Sequence, residues 1–165
     1  MLLLAGLVDG VTGIVLLSLA IVLVVIVFTW FVPSFIRQSR LKQGCHAFGQ
    51  QRERLEKEFL ECAKMTGIPR GLIWVRCDFE TEVCFVRERS TGQLQSLVPV
   101  TIAFEAEVGG GMEDVEAVGN LRAATAVFLY DGDSWSTEGR VVFNLNPQQT
   151  VEHHQESLEI VGPAR

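Results

Sequence analysis

No charged side chain interrupts the chain between Gly10 and Ile36, the run GVTGIVLLSLAIVLVVIVFTWFVPSFI. About 20 apolar residues in a helix span a hydrocarbon core, so this run predicts a single transmembrane helix in contact with the bilayer over residues 11–35. The preceding MLLLAGLVD lacks any basic residue, and no A-x-A pattern follows the apolar core. A cleaved secretory signal needs a basic start, a core of about 7–15 apolar residues and a small-residue cleavage site. The segment is therefore expected to be a retained signal anchor.

Other absences remove whole classes of chemistry. No C-x-x-C pair occurs among Cys45, Cys62, Cys77 and Cys84, and structural zinc sites rest on such pairs. Cys45 and His46 are adjacent and cannot both point one way from a helix, while His153 and His154 lie in a polar tail. No metal and no cofactor is expected. Lys and Arg are scarce beyond Thr66: seven against fifteen Asp and Glu, a balance of −8. Nucleic-acid binding needs a concentrated basic surface, so no nucleic acid is expected. No internal repeat or low-complexity segment is present.

What is there is arranged asymmetrically. Asp9 is the only side-chain charge before the apolar run, whereas Arg37, Arg40 and Lys42 follow it directly. Positive charge beside a span favours the cytoplasmic side, which places the N-terminus outside and the C-terminal domain in the cytoplasm. Trp30, Arg37, Arg40 and Lys42 are the expected membrane-interface residues. From Ile36 to Thr66 seven Lys and Arg outweigh four Glu, a basic segment suited to anionic headgroups.

Residues 1–36 thus form the N-terminal segment and span, and residues 37–67 a juxtamembrane amphipathic helix with one interruption near Gly44 and Gly49. Leu41, Cys45, Phe48, Arg52, Leu55, Phe59, Cys62 and Thr66 follow one another at alternating steps of four and three, a period of 3.5. The stripe either associates with another helix, with Leu55 and Phe59 as contact residues, or lies on the protein's own sheet. Gly67 and Pro69 end the helix.

After Arg70 the period becomes two. LIWVRCDF (72–79), EVCFVRER (82–89), LVPVTIAFEAEV (97–108), LRAATAVFLY (121–130) and GRVVFNLN (139–146) read as strands. In 97–108 one face is apolar and the other, with Thr101, Ala103, Glu105 and Glu107, is wetted. Pro99 cannot donate to a ladder, which puts it at an edge or bulge. Asp131-Gly132 marks a hairpin, with Trp135 covering the sheet as it turns back. The expected fold is α+β: a transmembrane helix, then an amphipathic helix packed on a curled antiparallel sheet of about five strands over residues 68–146, then a polar C-terminal tail over 147–165.

The remaining candidates are acidic. Asp78, Glu80 and Glu82 alternate about a hairpin turn and offer paired carboxylates, although solvated acids are ordinary there. Cys77 and Cys84 sit in apolar strand patterns that raise a thiol pKa and oppose nucleophilic use. No catalytic residue is assigned. The loop GGGMEDVEAVGN (109–120) lacks the Lys of a phosphate loop and the ligand order of a calcium loop. Its length suits a functional connection, and Met112, Glu113, Asp114 and Glu116 are the expected contacts for a basic partner. Asn120, Arg122, Thr125 and Asn144 are polar groups on apolar strands that can hydrogen-bond this loop.

The hairpin VFLYDGDSWSTEGRVVF and the general order of elements resemble cone-shaped domains of the nuclear transport factor type. Those domains begin with several helices forming a cavity, whereas one helix precedes the sheet here, and no residue is carried over. The expected function is a membrane-anchored, non-enzymatic accessory or scaffold subunit with a protein partner, or a homo-oligomer helped by Gly6-x-x-x-Gly10. The alternative is a ligand-binding or enzymatic domain with a pocket between helix and sheet. Arg76 and Arg87 separate the two: convergence on a cavity with Asp78 or Glu105 would favour the alternative.

Overall fold

Helix α1 comprises Leu2–Met65. The computed structural model describes residues 2–66 and 69–162, but not the side chains of residues 2–18, 20–21, 28–37 and 40 in α1. The chain divides into two units, Met1–Arg40 and Leu41–Arg165.

In the first unit, the six consecutive residues Val22 to Val27 are each 47–61% exposed and all apolar. At 3.6 residues per turn they cover more than a full turn, so this stretch is apolar on every side. Among the described residues no helix is long and apolar enough to cross a membrane. Leu19 is likewise exposed (63%); the rest of the expected span, Trp30 included, and the flanking Arg37 and Arg40 fall outside the described side chains. Lys42, in the second unit, is exposed.

The second unit is α+β. Its strands are β1 (Leu72–Phe79), β2 (Cys84–Glu88), β3 (Leu94–Ala106), β4 (Arg122–Tyr130), β5 (Trp135–Ser136), β6 (Val141–Phe143) and β7 (Leu158–Ile160), with α2 (Pro147–His153) before the last. They form one open sheet of seven strands, all antiparallel, in the order β5-β4-β3-β2-β7; β1 also pairs with β3, and β6 with β4. The sheet thus exceeds the expected five strands because β5, just after the turn that follows β4, and β7, in the tail, add short ones. The tail is structured: Asn146 caps α2 through a capping box with Gln149, with Pro147 in the first turn, and β7 pairs with β2.

The stripe on α1 lies on the domain's own sheet. Phe48 is 2% exposed, and Leu55, Phe59 and Ala63 are fully buried against Val98, Val100, Ile102, Phe128 and Trp135. Burying each large side chain contributes about 1.5–3 kcal/mol, which explains why the sheet takes this face. No interruption occurs at Gly44 or Gly49. A Cβ on Gly44 would lie 2.8 Å from Leu94 Cδ2, so this glycine lets β3 approach the helix rather than breaking it. Gly67 lies outside the described residues. Trp135 (1% exposed) donates its indole N–H to the Gly44 carbonyl at 2.8 Å and rests edge-on against Phe48 at 5.0 Å. Gln51 and Arg54 of α1 bond the backbone N–H and carbonyl of Trp135, covering an otherwise open edge.

The opposite face carries a second, smaller core of Cys84, Val86, Leu97, Val127 and Val151. The face of β3 expected to be wetted is therefore wetted only in part, because the tail folds over Gln95 and Leu97. Pro99 is not at an edge either: β3 is central, and Pro99 falls where β1 pairing ends at Val100 and β2 pairing begins at Leu97.

Candidate functional site

The 109–120 loop leaves β3 and is built by its own backbone. Gly109 (φ 79°) and Gly111 (φ 75°) take left-handed conformations that only glycine adopts readily. Glu107 donates to the Gly71 carbonyl and Gly110 to the Glu107 carbonyl, both at 2.9 Å. Gly110 and Gly71 approach so closely that a Cβ on either would come within 2.8 Å of the other's backbone. The chain then forms a short 3-10 helix, Glu116–Gly119, and Arg122 donates to the Ala117 carbonyl at 3.1 Å.

Within this frame the Glu113 carboxylate accepts from the Gly109 N–H. Its own backbone N–H and that of Gly109 hold it below the usual carboxylate range. Asp114 and Glu116 are exposed, and Met112 is half-buried against Gly71. Around these acids stand three apolar side chains in solvent: Val108 at 95%, Leu121 at 59% and Val115 at 41% exposure. Sequence reasoning missed Val108 and Leu121. Val108 continues the strand alternation in phase with buried positions, but β3 ends at Ala106; the three glycines that follow were the available signal.

The other candidate residues are dispersed. Leu55 and Phe59 are buried in the core and present no surface to a second helix. Of the polar residues near the loop, Arg122 bonds it through its side chain and Asn120 through its backbone N–H, both to the Ala117 carbonyl. Thr125 instead donates to the Leu145 carbonyl at 2.7 Å, and Asn144, at φ 61°, donates its N–H to Ala123. Arg76 forms an exposed ion pair with Asp78 at 2.9 Å, while Arg87 is half-buried on β2. Their β3 partners, Ala103 and Leu94, are nine residues apart, or about 30 Å along a strand, so the two arginines share no cavity.

No disulfide joins the four cysteines. Burial pushes the Cys77 thiol up to about 12, with Asp78 adding to the effect. Burial and then Glu82 raise Cys84 as well. Both are therefore protonated and poor nucleophiles at neutral pH. Among the described residues no group of three His, Cys, Asp or Glu comes together to hold a metal ion.

A groove of about 640 Å³ opens on the sheet face away from α1. Its floor is Pro99, Val100 and Thr101 of β3 with Ala123 and Ala124 of β4. Glu80 and Glu82, from the β1–β2 connection, form one wall, and Asn144 to Gln149, leading into α2, form the other. The groove exists because the floor side chains are short and α2 covers only the neighbouring part of the face.

No family model matches this chain, and neither a curated protein nor a solved structure does.

Proposed function

We propose that the protein is a membrane-anchored, non-enzymatic accessory subunit that works by contact, its second unit docking a protein partner through the loop between β3 and β4. The observation that carries this is the pairing of exposed Val108, Val115 and Leu121 with Glu113, Asp114 and Glu116 on a connection fixed by its own hydrogen bonds. Apolar side chains ringed by charge mark interaction surfaces, and a pre-ordered loop loses little entropy on binding. The all-round apolar stretch at Val22 to Val27 supports anchoring in lipid, and the positive flank supports a cytoplasmic domain. The protonated thiols and the separation of Arg76 from Arg87 support the contact reading over the enzymatic one.

Carboxylate-reactive cross-linking in native membranes tests it, because the loop has no lysine. Repeated links from Glu113, Asp114 or Glu116 to one other protein are expected. Self-links alone would replace the accessory-subunit reading with the homo-oligomer.

A further inference from the structure

We infer that the groove between the β1–β2 connection and α2 is the seat for an arginine- or lysine-bearing segment of a protein partner; this rests on the accessory-subunit reading above. Charge comes first. Two carboxylates line the groove, and among its described lining residues there is no Lys, Arg or His. Among the described residues no ion pair uses either carboxylate: the ion pairs engage Glu53, Glu56, Glu58, Glu61, Asp78 and Glu159, and not Glu80 or Glu82. Arg52, which reaches the same connection, is committed elsewhere. It donates to the carbonyls of Glu80 and Thr81 and to the Glu56 carboxylate. Those bonds fix the wall in place and leave its two acids without a counter-ion among the described residues.

Shape and chemistry narrow the occupant further. The groove crosses β3 and β4, from the β1–β2 connection to the segment after β6, a width of about three strand spacings or 14 Å. A volume of about 640 Å³ is within the range of ligand sites, roughly 300–1,000 Å³, and holds several residues of an extended chain. Asn144 and Gln148 on the far wall and Thr101 on the floor supply neutral acceptors for the remaining N–H groups of a guanidinium or the peptide beside it. Anions are repelled, and with no aromatic ring among the lining residues a planar apolar ligand finds nothing to stack on. A guanidinium between two carboxylates gains charge-assisted hydrogen bonds, and the balance of −8 beyond Thr66 draws a basic segment toward this unit.

The test titrates the full chain in detergent with a labelled glycine-arginine heptapeptide and its citrulline counterpart. Glu80→Gln/Glu82→Gln should weaken the arginine peptide at least about tenfold and leave the citrulline peptide, weak throughout, unchanged. The loop variant Glu113→Gln/Asp114→Asn/Glu116→Gln should stay within about twofold of the original protein. Gln148→Arg, a surface change placing a cation on the far wall, should also weaken binding and guards against a fold defect in the double variant. Equal binding by the double variant, or equal loss in the loop variant, overturns the inference in favour of diffuse acidity. Cross-linking in membranes separates the two readings: partner links retained in a double variant that binds peptide normally sink the groove and keep the accessory subunit. Absence of partner links in the original protein sinks the accessory subunit and with it the groove as a partner's seat, whereas loss of the groove alone leaves the accessory subunit standing.

Discussion

Replacing Gly139 by alanine should displace α1 from the sheet, and the structure sets the size of the effect. Gly139 is buried at φ 70°, and a Cβ there would lie 2.3 Å from the Ala63 nitrogen and 2.7 Å from Ala63 Cα and the Cys62 carbonyl carbon. Carbon atoms in contact rest about 3.5–4.0 Å apart, so helix and hairpin backbones must separate by roughly 1 Å. Two costs add. A left-handed alanine costs about 1–2 kcal/mol, and overpacking a tight contact costs about 1–3 kcal/mol.

The sum, about 2–5 kcal/mol, is a large share of the roughly 5–15 kcal/mol that holds a domain folded. For a domain of this size it lowers Tm by roughly 10–20 °C. Thermal unfolding of the full chain in detergent, followed by the fluorescence of buried Trp135, measures this. Gly92→Ala is the control: φ is 73°, yet nothing lies within 4 Å of the added Cβ, so only the backbone cost applies. Equal Tm losses in the two variants would refute the close passage of Gly139 under α1.

Four further outcomes follow from the same packing. Trp135→Phe loses the buried bond to the Gly44 carbonyl (2.8 Å) and some packed volume, and should cost about 1–3 kcal/mol in a urea titration. Ser96 is fully buried and its hydroxyl has no partner among the described residues; Ser96→Ala should be neutral or stabilise by up to about 1 kcal/mol, and a clear loss in the same titration would reveal a bond to that hydroxyl. Arg52→Ala should cost about 1–2 kcal/mol, and Arg52→Lys should recover only part, because a compact ammonium lacks the spread of the guanidinium fork whose Nε and two Nη atoms reach Glu56 and the two carbonyls separately. The Cys77 thiol, raised to about 12 by burial, holds its proton better folded than unfolded. Its contribution is thus intact below about pH 8.5–9 and lost as pH rises toward 12; Cys77→Ala should flatten the fall in stability between pH 9 and 11, and unchanged slopes would count against the burial.

The sequence was most legible where burial imposes a period. The apolar runs 72–79 and 121–130 match β1 and β4 to within a residue, although β4 is buried on both faces along most of its length and does not alternate, and the stripe on α1 matches its buried face. Legibility failed where tertiary partners, not local pattern, create structure. β7 has three residues, only one of them half-buried, and exists because β2 offers it an edge. The groove was equally hidden: its floor is marked by shortness of side chains at Thr101 and Ala123, and its walls come from segments about 60 residues apart in sequence.

Arg52 and Pro99 show most directly why the helix stripe belongs to this domain. As a heptad position, a charged residue between Phe48 and Leu55 weakens a coiled coil, and the sequence alone gives no reason for it. The sheet supplies one. Glu80 donates its N–H to the Pro99 carbonyl at 3.0 Å, and in an antiparallel pair of this type the partner N–H should answer. Pro99 has none, so the Glu80 carbonyl is left over, and the Arg52 guanidinium takes it together with that of Thr81. A proline in the central strand and an arginine in the apolar stripe are therefore two halves of one arrangement. With the stripe consumed internally, the surfaces left for the proposed partner are those the sheet leaves open: the loop around Val108 and Leu121, and the groove whose acidic wall Arg52 itself holds in place.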